Sequence, residues 1–149
     1  MKLYLTNIGA ALTNLYLLLF LWGLSAGIAS SVPVIAMIGC VALFVVIPPL
    51  LVHIPRMGYL GGFLCSLLIL PWSIGYLVSD FQFSFTDLFV LIPCLLAVYT
   101  GCLSVYYFVR KRDIILPKSS VFRLLLSIVP ALLFVLYLIS ISGNFRYIG

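Results

Sequence analysis

Hydrophobic residues run along this chain in five long blocks, roughly residues 8–29, 33–53, 58–78, 86–109 and 120–141. Short breaks between them hold most of the charge. A helix needs about 20 apolar residues to cross the hydrocarbon of a bilayer, and each block approaches or exceeds that length. The pattern predicts an all-α integral membrane protein, a bundle of about five transmembrane helices. The blocks fill most of the 149 residues. That leaves one polytopic membrane domain over 1–149 and no room for a separate soluble one.

Composition agrees with this reading. The chain is 65% hydrophobic and 7% charged, whereas ordinary soluble domains carry about a quarter charged residues. Lys2, the first apolar block and "SAGIASS" together resemble a secretory signal with a small-residue cleavage site. The apolar region is longer than a usual signal core, so retention as a membrane anchor is expected.

The charge is gathered unevenly. "YYFVRKRDIILPKSSVFR", residues 106–123, holds five of the eight Lys and Arg: Arg110, Lys111, Arg112, Lys118 and Arg123. With five spans, the N-terminus, the break near 53–57 and this stretch share one side. That side carries seven basic residues (these five, Lys2 and Arg56), and the other carries one, Arg146, with Asp80 and Asp87. Basic loops stay cytoplasmic, so the N-terminus is expected in the cytoplasm and the C-terminus outside. The expected location is the bacterial inner membrane, crossed several times.

Orientation alone requires fewer charges than this loop holds, since His53 and Arg56 suffice for the preceding break. The surplus suits anionic headgroups, at about 1 kcal/mol per Lys or Arg near the surface. It suits equally an acidic or phosphate-bearing face on a cytoplasmic protein partner. Pro117 stops regular structure in the loop, and Ser119 or Ser120 can cap the last span. Direct nucleic-acid binding is not expected.

Small residues recur at four-residue spacing: Gly23 and Gly27, Gly58 and Gly62, Ala97 and Gly101. Such pairs let helix backbones approach closely in lipid. Gly23, Gly27, Gly58 and Gly62 are therefore candidate contacts of a homo-oligomer, although some of these faces must pack within one chain. Pro48, Pro49, Pro71, Pro93 and Pro130 fall inside four spans, where neighbouring groups must satisfy the freed carbonyls. Asn14 is the carboxamide within a span, and a helix-to-helix hydrogen bond is its expected role. In the outer break, Phe81, Phe83 and Phe85 alternate with polar residues and share one face if extended. There they form an interfacial aromatic belt or a surface that senses the outer leaflet.

Catalysis is not expected. His53 is the single histidine, no Glu occurs, and no metal-binding or nucleophile motif is present. Cys40, Cys65, Cys94 and Cys102 lie inside spans without a C-x-x-C pair and read as small apolar packing residues. No cofactor is implied.

In plan, the chain is short, crosses several times, lacks a catalytic set and presents "VRKRDIILPK" to the cytoplasm. It thereby resembles the small membrane subunits of bacterial two-component defence systems, such as the KwaA-like subunit of the Kiwa anti-phage system. That resemblance implies a sensor of membrane disturbance paired with a cytoplasmic effector. The function expected is a non-catalytic, self-associating sensor or scaffold that docks a cytoplasmic partner through its basic loop. A transporter or channel subunit and a bacteriocin-type immunity protein are the alternatives.

Overall fold

The structure, a computed structural model, describes residues 1–24, 31–80, 85–111 and 119–145. Among these residues six helices follow one another: α1 Lys2–Leu24, α2 Ser31–Val45, α3 Ile47–His53, α4 Pro55–Asp80, α5 Phe85–Val109 and α6 Ser120–Phe145. No strand occurs among them. Three stretches, Val32–His53, Pro55–Gly75 and Leu91–Val109, are long and apolar enough to cross a membrane, and a shorter apolar stretch, Ser120–Leu136, lies in α6.

Helix α1 begins at Lys2, well before the expected span at residue 8. Apolar blocks mark where hydrocarbon can be, not where hydrogen bonding stops. Leu5 N–H already donates to the Met1 carbonyl at 3.1 Å. The extension draws Asn7 into the bundle, where it is fully buried.

α1 packs on α2 and α5, and α4 also packs on α2 and α5, so the four close into a ring. Leu18, Leu43, Ile69 and Ala97 fill its centre. α3 lies against α1, α2 and α4, and α6 rests outside the ring on α3 and α2. Leu12, Ile38, Leu64, Leu95 and Leu132 point outward from the five long helices. Apolar exposure on every side is disfavoured in water and is compatible with lipid.

The expected second span is divided, and its prolines explain why. Pro48 and Pro49 have no N–H, so two carbonyls of the preceding turn lose their helical partners. α2 ends at Val45, and the Leu50 N–H to Val46 carbonyl bond is stretched to 3.4 Å. The chain then turns a sharp corner on one residue, Ile54, with φ −133° and ψ 73°. A residue before proline is pushed out of the helical region. Pro55 opens α4, where a missing N–H is harmless.

This corner leaves no space beside Gly58. A Cβ there would sit 2.7 Å from the Leu51 backbone nitrogen. A Cβ on Gly62 would sit 2.9 Å from Ser104 Oγ and 3.3 Å from Asn7 Oδ1. The faces of Gly58 and Gly62, expected at subunit contacts, are thus filled by the chain's own residues. Gly27 lies outside the described residues, and of Gly23 only its place in α1 is described.

α6 is fixed by three side-chain contacts. Pro130 removes the N–H that would have bonded the Leu126 carbonyl one turn back. Tyr4 on α1 takes that place, its hydroxyl donating to Leu126 O at 2.6 Å. His53 meets Ser127 at 3.3 Å, and Phe44 meets Phe134 edge-on, with ring centres 6.4 Å apart.

Tyr4→Phe should therefore destabilise the protein by about 1 kcal/mol, read from thermal unfolding of the full chain in detergent. In a Pro130→Ala background the helix regains its own donor to Leu126, and Tyr4→Phe should then cost little. Equal costs in both backgrounds would show that the tyrosine does not answer the proline.

Candidate functional site

Polar groups gather in two places. The first is a buried seam where α1, α4 and α5 meet. Asn7 and Asn14 are seven residues apart on α1, Ser66 and Ser73 seven apart on α4, and Thr100 and Ser104 four apart on α5. These spacings keep each pair near one helix face. All six are buried.

Asn14 is the hub of the seam. Its Nδ2 donates to the Ala10 carbonyl at 2.8 Å and to the Pro93 carbonyl on α5 at 3.0 Å. Its Oδ1 accepts from Ser73 Oγ on α4 at 3.1 Å. One side chain thus ties three helices together, in the helix-to-helix role expected from sequence. Thr100 Oγ1 donates to the Thr6 carbonyl at 3.2 Å, and Ser66 Oγ to the Gly62 carbonyl at 2.9 Å. Asn7 and Ser104 instead have no hydrogen-bond partner, and both approach the space left by Gly62.

The second place is one end of the bundle, where chain direction brings four segments together. These are the start of α1, the α3–α4 corner, the end of α5 and the start of α6. The Tyr59 and Tyr107 rings, from α4 and α5, meet there with centres 5.9 Å apart. Lys2, His53, Arg56, Arg110, Lys111 and Arg123 are all exposed at this end. Asp80 and Asp87 fall at the opposite ends of their helices.

Of the five basic residues singled out in sequence, Arg110, Lys111 and Arg123 stand at this end, and Arg112 and Lys118 lie outside the described residues. Lys111, two residues past the end of α5, has φ 49°, the left-handed conformation usually taken by glycine after a helix. His53, Arg56 and Lys111 border a cleft of ≈ 450 Å³, together with Ile54, Tyr59 and Phe108. In the linear sequence His53 and Arg56 carry only an orientation signal. Nothing in the linear order joins residues 53–59 to 108–111; the antiparallel course of α4 and α5 does.

Phe81 and Phe83 lie outside the described residues, and of Phe85 only its place at the start of α5 is described. Among the described residues no three His, Cys, Asp or Glu side chains come together. Cys40, Cys65, Cys94 and Cys102 are free thiols. No family model, curated protein or solved structure matches this chain.

Asn14→Leu should destabilise the bundle by about 1–3 kcal/mol, because it removes the bonds to Ser73 Oγ and the Pro93 carbonyl and leaves Ser73 only the Ile69 carbonyl at 3.5 Å. Ser73→Ala should cost about 0.6 kcal/mol, the usual scale of one interhelical hydrogen bond in lipid. Steric-trap or thermal unfolding in micelles checks both, and reversal of the order would remove Asn14 from the hub.

Lys111→Gly should raise stability by about 1 kcal/mol, since glycine lacks the Cβ that the left-handed conformation penalises. Thermal unfolding in the same micelles measures the gain. A lower midpoint would mean that the lysine side chain contributes more to the fold than its backbone conformation costs.

Proposed function

We propose that this chain is a multi-pass protein of the bacterial inner membrane with its basic end in the cytoplasm. It acts as a non-catalytic sensor or scaffold subunit, holding a cytoplasmic protein with an acidic or phosphate-bearing face. The observation that carries the reading is the convergence of cations from four separate segments on one end. Lys2, Arg56 and the α5–α6 loop place that end inside by the positive-inside rule. Long-range attraction then speeds encounter with an acidic partner and weakens with salt.

A role in anti-phage defence rests on the resemblance of the sequence plan to KwaA-like subunits. Self-association through Gly23 and Gly27 rests on their spacing. A transporter or channel subunit is the second reading, favoured by the unpartnered Asn7 and Ser104 in the seam. Ion flux in liposomes containing the purified protein separates the two.

The docking reading is tested by changing Arg110, Arg112 and Lys118 together to Gln. A soluble protein should co-purify with the parent in mild detergent, leave as salt rises, and be lost from the triple variant. Reporter fusions after Met57 should still report the cytoplasm, because Lys2 and Arg56 preserve orientation. Full retention by a correctly oriented triple variant would reduce the loop to a topology signal.

A further inference from the structure

We infer that the cleft between the α3–α4 corner and the end of α5 is a specific site for the phosphate headgroup of an anionic phospholipid. The inference uses the membrane orientation proposed above but not the partner docking. Its residues, apart from Lys111, were not singled out by the basic loop.

Three side chains able to carry positive charge face this concavity from separate elements: His53 at the end of α3, Arg56 at the start of α4 and Lys111 just past α5. Gathering like charges around one hollow is unfavourable unless an anion lies between them. Asp80 and Asp87 stand at the other end of the bundle, and the third carboxylate of the chain, Asp113, lies outside the described residues. α4 also begins at this point. The first-turn amides of a 26-residue helix add partial positive charge.

His53 is held against α6. Ser127 Oγ lies 3.0 Å from the Arg123 carbonyl. His53 Nε2 lies 3.3 Å from Ser127 Oγ, and the ring's tautomer sets which of the two donates. That contact ties the ring to α6 and leaves Nδ1 as its remaining polar atom.

The other walls explain why the anion should belong to a lipid. Ile54 and Phe108 are 53% and 43% exposed and continue the outward apolar surface of the bundle from the rim of the cleft. The Tyr59 ring closes the back, only 3% exposed. A ligand that fits carries its charge at one end and hydrocarbon beside it. At the cytoplasmic edge of a bilayer this describes an anionic phospholipid, whereas free phosphate leaves the apolar rim uncovered.

The test uses the full chain in detergent and in nanodiscs. Native mass spectrometry follows retained lipid, and thermal unfolding is measured with added phosphatidylglycerol, phosphatidylcholine or inorganic phosphate. The parent should retain and be stabilised by phosphatidylglycerol but not by phosphatidylcholine. Arg56→Gln and Lys111→Gln should each weaken that binding about fivefold, and together about thirtyfold. Lys2→Gln, which removes one charge from the same end but outside the cleft, should leave binding within twofold. Unchanged lipid-free midpoints show that the variants are folded.

Retention of phosphatidylglycerol by the double variant at the parent's level overturns the site. An equal loss in Lys2→Gln overturns it as well, since the attraction would then be diffuse. Stabilisation by inorganic phosphate to the same extent as by the lipid overturns the lipid assignment. Loss of the partner in the Arg110, Arg112 and Lys118 variant does not bear on the cleft, so either reading can fail alone.

Discussion

A proline inside a helix leaves one carbonyl without its own donor, and in apolar surroundings no water replaces it. The arrangement of this bundle follows from how those carbonyls are answered. Where Pro130 frees Leu126 O on α6, Tyr4 reaches across from α1 to supply the hydroxyl at 2.6 Å. Where Pro48 and Pro49 fall together, the helix divides at Val46, and α3 becomes a separate short element. These responses hold α6 against the ring and direct α3 into the corner at Ile54.

The corner in turn creates the candidate site. A single residue separates α3 from α4, so His53 and Arg56 remain within one turn of each other on different elements. Gly58 permits this closeness because its missing Cβ is the space that Leu51 occupies. His53 also reaches α6 through Ser127. His53 therefore both borders the basic cleft and contacts the outermost helix.

Inside the ring, the hydrogen bonds of Asn14 set the register of α1, α4 and α5, a task that apolar packing performs poorly where lipid is as apolar as the core. Asn7 and Ser104 form a contrasting pair. They lie on the same three-helix seam, yet their polar atoms find no partner. The seam is thus tight around Asn14 and polar but unsatisfied nearer the basic end.

The apolar blocks alone determine that the chain is helical throughout the described residues, and they locate α4, α5 and α6 closely at their basic ends. They do so because a stretch long enough to cross hydrocarbon has one way to satisfy its backbone there. Charge placement likewise groups five of the eight basic residues within 106–123 without any tertiary information. The rest is decided by helices meeting. A glycine pair at four-residue spacing has the same linear pattern whether its neighbour is another subunit or Leu51 of its own chain. Asn7 lies outside any apolar window, and only the hydrogen-bonded extension of α1 carries it into the core. His53 and Lys111 are separated by a pair of antiparallel helices, so the cleft they share exists only once α4 and α5 have packed.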